Sequence, residues 1–532
     1  MTKKWVATAV AASAIVASAV SWTCLGPAAL AGEAPVPPAA IEAAAGPSPS
    51  EPNAVISITS TDAVLMALEN NRALIVQRQS PRIQKAAEDI QRSAFDPNLT
   101  AQASFSRARA TVPAVPTTVS VTGQGSTVQA AVAETFSTGT TASLGLATAF
   151  TNNSDPHEKA YRSQSALSVS QALLRGFGLG ANLASLRQAR IDTLSSEYQL
   201  RGFAEQLVAS TEETYWNYAL AQKQIEIFTQ SLEIAQKQLS ETRERIRVGI
   251  LAEVELAAAE AEVALRQQDL INGRSSLATT KLALLRLISP PGPDPLGRDL
   301  DLRDEPSGPS EKLDPLDEHI KVGLMMRPDL NQARLQVKRG DLDVVKTKNG
   351  LLPNLDLFVT LGNTGYADSF GESIRNIDGR NYALTAGLSA EYPLGNRAAR
   401  AGYTRSVLSR QQQYEAVDNL AQLVESDVRR AYIEVVRSGE QVVASAATRR
   451  LQEEKLRAET EKFRVGKSTT LLVGQAQRDL QSAQIAEIQA VISYRNAFVE
   501  LYRLEGSLLQ RRGVNTPGSE PISLEADYAA NR

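Results

Sequence analysis

The chain has 532 residues, 22% of them charged, a formal net charge of −3, one cysteine and 5% aromatics. So balanced a charge offers no electrostatic footprint for phosphates, and no nucleic-acid partner is expected. The length would permit several globular domains, yet scarce aromatics and helical stretches dominated by Ala, Gln, Glu and Leu suit long packed helices better than compact cores.

Residues 1–31 read as a secretory signal peptide. Lys3 and Lys4 precede an apolar run from Val6 to Val20, too short for a comfortable membrane span, and Ala29-Leu30-Ala31 fits a signal-peptidase site. Cys24 lies before that site and is expected to leave with the signal. A lipid anchor on Cys24 is the alternative, although Ser-Trp-Thr ahead of it is a poor match to the small or apolar residues such anchors follow. A mature chain without cysteine has neither disulfides nor thiol chemistry, and export without cysteine points to a bacterial envelope. Residues 32–58 form a flexible lead rich in Pro and Ala.

A first repeat covers 59–288. Its opening helix, about Asp62 to Ala94, ends at Pro97-Asn98-Leu99, and the periodicity then switches to two residues, with Leu99, Ala101, Ala103 and Phe105 alternating with polar neighbours. A return strand carries Ala166-Leu167-Ser168-Val169. Between them, Thr140 to Phe150 alternates as well, and Val119 to Ala133 is a candidate partner turning at Ser137-Thr138-Gly139. A second hairpin and a long external loop are both compatible with this weakly patterned stretch, which bears Pro113, Pro116 and two glycines. A long helix, 180–247, then runs to Arg247-Val248-Gly249, and a return helix fills 251–288.

Residues 289–312 form a linker rich in Pro and Gly, and a second repeat follows over 313–510. A leading helix, about Leu316 to Asn349, again meets Pro-Asn-Leu at 353–355. Leu355, Leu357, Val359 and Leu361 form one strand, a polar loop runs from Gly362 to Asn381, and Tyr382, Leu384, Ala386, Leu388 and Ala390 form the return strand. The long helix from Asn396 to Arg464 carries a heptad seam: Val407, Tyr414, Ala421, Val428, Val435, Val442, Arg449, Leu456 and Phe463, interleaved with Val417, Val424, Ala431, Ser438 and Ser445. At about 1.5 Å per residue it would be roughly 100 Å long. It ends at Arg464-Val465-Gly466, and Leu471 to Leu504 runs back. Shifting the seam by 217 residues gives Ala204, Thr211, Tyr218, Ile225, Leu232, Leu239 and Ile246, with the two Arg-Val-Gly turns coinciding, so the chain is internally duplicated. Residues 511–532 are expected to be a disordered tail.

No segment after the signal is long and apolar enough for a transmembrane helix, so membrane insertion must use strands, and each strand has about the length that crosses a bilayer at a tilt. Four strands with free edges cannot sit in lipid, and closure by cyclic oligomerisation is the natural solution. The half-length helices, stacked end to end, would form columns beside the long ones. Strands would lie at one end of the columns and Arg-Val-Gly turns at the other.

Over about 60–506 the chain resembles the TolC family of outer-membrane efflux and secretion channels. The motifs that carry the resemblance are the paired Pro-Asn-Leu, Ser168 to Gly176 (S-V-S-Q-A-L-L-R-G), Ser389 to Asn396 (S-A-E-Y-P-L-G-N) and the two Arg-Val-Gly turns. The fold it implies is mainly α with membrane β: coiled-coil hairpins forming a trimeric α-barrel, plus a shared transmembrane β-barrel, built on an internal two-fold repeat. It implies a homotrimer in outer-membrane lipid with a periplasmic tunnel, a passive conduit opened at its tip by a periplasmic adaptor and an inner-membrane transporter. A periplasmic coiled-coil adaptor or envelope scaffold is the alternative, but would not need two copies each fed by strand pairs.

The resemblance also marks a periplasmic aperture. Glu255 matches an acidic position that closes the tip in the family. Phe463 stands at its tyrosine partner and Ser468 at its arginine partner, while Leu472 and Gln475 replace two aspartates that ring the entrance. Glu253 and Glu255 are then candidates to pair with Arg464 or Lys467, or else are simply solvated. The docking turns for an adaptor are Arg247, Val248, Gly249 and Ile250 with Val465 and Gly466. Enzymatic readings find no support. His157 and His319 sit in loop-like contexts without metal-ligand spacing, Met325-Met326 reads as packing, and Gly176-Phe177-Gly178-Leu179-Gly180 lacks the Lys-Ser/Thr of a phosphate loop. No catalytic residue, cofactor or metal is expected.

Overall fold

A computed structural model describes residues 55–113, 118–152, 160–292, 294–308 and 312–524. The signal peptide, Cys24, most of the Pro/Ala-rich lead, His157 and the last eight residues lie outside that range. In chain order the main elements are β1 (Ile56–Ile58), α1 (Ser60–Asn70), α2 (Arg72–Gln77), α3 (Gln79–Arg92), β2 (Asn98–Pro113), β3 (Thr118–Thr135), β4 (Thr140–Asn152) and β5 (Ala160–Ala172). They continue with α4 (Ala184–Arg247), α5 (Val254–Ile288), β6 (Leu300–Leu302), α6 (Leu316–Met326), α7 (Pro328–Asn349), β7 (Asn354–Ala367), α8 (Phe370–Arg375), β8 (Tyr382–Glu391), α9 (Arg397–Arg464) and α10 (Thr470–Leu504). The chain divides into a strand unit, 92–184 with 345–403, and a helical unit holding the remaining described residues.

In the strand unit six strands form one sheet in the order β2-β3-β4-β5-β7-β8, every neighbouring pair antiparallel. The stretch between the outer strands of the first repeat is therefore a second hairpin, and the sheet has six strands rather than the four that the paired motifs alone require. Two-residue alternation separates its faces. One row, read across all six strands, is Leu99, Val132, Leu144, Leu167, Leu361 and Leu384. The opposite face carries Gln102, Gln129, Gln164, Thr360 and Thr364 among small residues, and Gln129 Nε2 donates to Gln102 Oε1 at 2.6 Å. Farther along the apolar face Phe105, Phe150 and Tyr161 fall on one row, with the Phe150 and Tyr161 rings 4.7 Å apart. From Thr140 to that row is ten residues of β4, about 25 Å of height at a tilt near 40°, the thickness of an apolar membrane band with an aromatic girdle. The polar loop expected over 362–381 is shorter than anticipated: β7 continues to Ala367, and α8 packs back on the sheet. Ser373 on α8 bonds Ser163 at 2.7 Å, and Ser163 bonds Thr148 at 2.9 Å, so these three hydroxyls are mutually satisfied and buried.

The helical unit is organised by the seam. The eight buried residues of α9 are Val417, Val424, Val428, Ala431, Val435, Ser438, Ser445 and Phe463, and every one is a position the heptad picks out. Arg449, the polar member, lies half-buried and pairs with Glu487 on α10 at 2.6 Å. In the first copy Ala204, Thr211, Tyr218, Ala221 and Ala235 are buried, while Ile225, Leu232, Leu239 and Ile246 are half-buried. Burial on α4 spreads beyond one seam near Tyr215 and Trp216, because β1 and β6 cover that side: Tyr215 donates to the Ile58 carbonyl and Tyr218 to that of Leu300.

Those two strands correct the expected boundaries. Ile56–Ile58, placed in the flexible lead, pairs in parallel with Leu300–Leu302, placed in the linker. Three-residue strands leave no period to read, and their apolar Ile and Leu side chains, together with the Tyr215 and Tyr218 hydroxyls, hold them against α4 and α5. The leading helices are broken as well. The Asn71 side chain accepts from the Ala73 and Leu74 amides and restarts the first, and Pro328 at the first position of α7 restarts the second. Residues 511–524, part of the expected disordered tail, pack against the helical unit. Arg512 grips Glu212 through two hydrogen bonds of 2.6 and 2.8 Å, and buried Arg201 donates to the Gly518 and Gly506 carbonyls. His319 is in a helix rather than a loop, buried on α6 with Nδ1 2.5 Å from Glu505 Oε2.

Val435→Asp should therefore destabilise the helical unit by several kcal/mol, since the residue is 1% exposed and a carboxylate there has no partner. Glu434→Asp, next to it on the exposed face beside Arg437, should change stability by less than about 0.5 kcal/mol. Thermal melts of the purified variants distinguish the two; equal melting points would contradict the seam. On the sheet, Leu357→Arg or Leu388→Arg places a charge on the apolar face at adjacent paired positions, at a cost that rises with depth to roughly 2–4 kcal/mol at the bilayer midplane. The yield of either variant in outer membranes should fall, whereas Thr360→Arg on the opposite face should be better tolerated.

Candidate functional site at the paired turns

The two long helices end in the same way. In α4 the Ile250 amide donates to the Arg245 carbonyl at 2.8 Å, and in α9 the Lys467 amide donates to the Lys462 carbonyl at 2.8 Å. Both are six-to-one bonds around a glycine in the left-handed region, Gly249 at φ 79° and Gly466 at φ 75°. Nothing lies within 4 Å of where a Cβ would stand on either glycine. The requirement for glycine is thus conformational, not steric, and the repeated Arg-Val-Gly encodes one capping motif twice.

Around the turns apolar side chains face outward. Val248 is 58% exposed, Ile250 72% and Val465 64%, and Arg247 is also exposed, held to Glu244 at 2.8 Å. The six residues expected to form the docking turns are all at the surface.

The aperture residues distribute differently from a simple salt-bridge lock. Glu253 is exposed at the N-cap position of α5, and Glu255 is half-exposed in its first turn, where helix dipoles favour negative charge. Within one chain neither pairs with Arg464 or Lys467 among the described residues; Arg464 pairs instead with Glu461, 3.4 Å away on its own helix. Ser468 Oγ donates to Glu459 Oε2 at 2.9 Å, and the Lys462 ammonium and this hydroxyl hold the Glu459 carboxyl below the usual range. Leu472 and Gln475 are exposed on the first turns of α10, which Thr469 caps.

Phe463 is the exception to this exposure. It is 6% exposed, and the Arg245 guanidinium lies 4.8 Å from its ring centroid. A cation over a ring holds without a phenolic hydroxyl and is worth about 0.5–2 kcal/mol depending on desolvation. Arg245 belongs to α4 and Phe463 to α9, so the contact ties the two hairpins beside their turns. Nothing in the sequence marks Arg245 for this role, because the pairing is set by the side-by-side placement of the helices.

Farther along the return helices is a buried polar clasp that sequence reasoning also missed. Arg266 on α5, 5% exposed, donates to Glu262 at 2.5 Å, to Asp269 at 3.1 Å and to Gln481 on α10. Arg478 on α10 returns to Glu262 at 2.5 Å. Two cations face two anions, so the cluster is neutral; Arg266 and Glu262 are its buried pair, while the side chains of Asp269 and Arg478 are 39% and 38% exposed, so breaking the Arg266–Glu262 pair costs the most.

Comparison with known proteins fits this architecture. Solved structures similar to the chain include the outer-membrane channel OprN, at 19% identity and a TM-score of 0.65, over 84% of this chain and 90% of that one. The CmeC outer membrane channel of Campylobacter jejuni is 17% identical with a TM-score of 0.64, over 89% of each chain. The open state of the MtrE outer membrane channel of Neisseria gonorrhoeae is 19% identical with a TM-score of 0.61, over 84% of this chain and 89% of that one. No curated protein matches in sequence. The outer membrane efflux protein family matches residues 64–289 and 321–507, which cover both repeats and well over half of the sequence, and the chain belongs to that family.

Proposed function

We propose that this efflux protein works as a homotrimer and a passive conduit, performing no catalysis itself. Residues 1–31 are removed on export. The strand units of three copies sit in outer-membrane lipid, and the helices of the two repeats, 59–288 and 313–510, line a tunnel through the periplasm. A periplasmic adaptor and an inner-membrane transporter supply the cargo and the energy, as in a tripartite efflux or type I secretion system.

The observation that carries this reading is the matched pair of turns. Two identical caps, each presenting exposed valine or isoleucine beside a glycine with open space around it, give a ring of six in a trimer. Such a ring suits an apolar partner hairpin that must approach the backbone closely. Arg247, Val248, Gly249, Ile250, Val465 and Gly466 are its contact residues.

In the resting state the aperture is held by Arg245 over Phe463 and by the Arg266 clasp, which together keep the hairpins of one protomer side by side. Ser468 braces Glu459 beside the second turn. Among the described residues Glu253 and Glu255 have no cation partner within their own chain, and Arg464 and Lys467 of a neighbouring protomer are their partners in the closed ring. Leu472 and Gln475 leave the entrance uncharged at the two positions where relatives place aspartates, so selection for cations there is weak.

Export in cells and single-channel conductance in planar bilayers test the two roles separately. Gly466→Trp, which forces a bulky residue into a left-handed backbone, should abolish export while the trimer level is unchanged. Phe463→Ala and Arg245→Ala should raise the conductance of the isolated channel by loosening its tip. Normal export by Gly466→Trp would show that the partner docks elsewhere, and unchanged conductance in both other variants would remove the cation–ring contact from the closure.

A further inference from the structure

The sheet of one protomer has two long edges without partners, the outer side of β2 and the outer side of β8. Backbone groups left unpaired in hydrocarbon cost several kcal/mol each, so neither edge can face lipid. Five antiparallel steps separate the edges, so β8 runs opposite to β2. One copy's β8 can therefore join the next copy's β2 antiparallel, like every other pair in the sheet.

The register shows how the junction is made. The row of paired residues that starts at Asn98, the first residue of β2, passes Ala133 on β3 and reaches Thr385 on β8. The last residue of β8 is Glu391, six places farther on. Between these limits the strand ends descend steadily. Thr135 pairs with Thr141, Thr140 with Gln171, Ala172 with Asp356 and Asn354 with Glu391, each pair lying below the one before. The descent is about one residue per strand across six strands. With a rise of about 3.3 Å per residue and a spacing of about 4.8 Å between strands, that slope is a tilt of about 35°, the value of a closed barrel.

Continuing the same slope sets Glu391 beside Asn98 of the next copy. An even shift of six residues keeps the faces in phase: Leu384 then meets Phe105, Ala386 meets Ala103 and Leu388 meets Ala101, all on the apolar face. Had the shift been odd, apolar residues would have met the glutamine face.

We propose that the membrane barrel of this protein is eighteen-stranded, three copies of six strands, with β8 of each copy paired to β2 of the next in this register. The proposal rests on the trimeric reading above and adds what the second hairpin, β3 and β4, does. Eighteen strands at this tilt close at a backbone radius of roughly 17 Å, whereas twelve, two hairpins from each copy, would close at roughly 11 Å. The lining is uncharged across its middle. Gln102, Gln129, Gln164, Thr360 and Thr364 share it with Ala131, Gly145, Ala166 and Gly362, while Arg162 stands toward one rim and Asp356 and Glu391 at the other. A wide, neutral, hydrated lumen of this kind suits bulky polar cargo and leaves discrimination to the aperture.

The test is disulfide formation in the full-length protein, with Cys24 replaced by Ser so that no other thiol is present. Antiparallel neighbours have Cα atoms about 4.5–5.5 Å apart, within disulfide range. The double variant Ala103→Cys/Ala386→Cys should form covalent trimers, seen on non-reducing gels, and the offset pair Ala101→Cys/Ala386→Cys and each single variant should not. Electron microscopy of the uncrosslinked trimer should count eighteen strands. A trimer that has twelve strands, or that crosslinks only in the offset pair, overturns the strand count or the register while leaving the trimer intact. A folded monomer with no crosslink overturns the assembly on which both depend.

Discussion

Backbone amides and carbonyls must find partners wherever water is absent, and this constraint governs how the strand unit can exist in a membrane. Among the described residues no helix is long and apolar enough to cross one, and the sheet carries an apolar row that runs from Leu99 to Leu384. A sheet of six strands with two open edges is incomplete in a single chain. Completion by identical copies converts a local hydrogen-bonding deficit into symmetry, and symmetry makes the neighbouring helices of each copy into a wall. Duplication of the sequence then becomes intelligible, because each hairpin of strands is fed and drained by helices of the same design.

The helical repeats obey a different rule. Seven-residue spacing keeps one narrow stripe of small and branched side chains buried along α9, and the faces beside it stay polar enough to contact water. The same stripe in α4 is overlaid near Tyr215 by the short strands and by residues 511–524, so the first hairpin is more deeply embedded than the second. At the turns this economy reaches its limit. Among the aperture and docking residues Phe463 alone is buried, and it is covered by an arginine, a contact that can be lost and regained at small energetic cost compared with the clasp around Arg266. A structure that must open at one place benefits from weak contacts at that place and strong ones behind it.

Much of this was legible in the residues. The seam predicted every buried position of α9, and the paired Pro-Asn-Leu and Arg-Val-Gly motifs marked where strands begin and where helices reverse. The second hairpin was ambiguous because Pro113, Pro116 and several glycines weaken alternation in a stretch where register is enforced by long neighbouring strands. Three-residue strands such as Ile56–Ile58 carry no period, and their pairing with Leu300–Leu302 is a contact between segments more than 240 residues apart. Arg245, Arg266 and Gln481 were invisible for the same reason. Their roles come from packing between helices, and at Phe463 and Ser468 the residue types expected for a salt-bridge lock are absent.

The central claim, that the sheet is completed by identical copies in the outer membrane, is tested most directly by fractionation followed by mass measurement. The protein should leave the outer-membrane fraction only with detergent and then show the protein mass of three mature chains, persisting on mild heating in dodecyl sulfate. Recovery as a soluble periplasmic protein, or as a folded single chain in detergent, would contradict it.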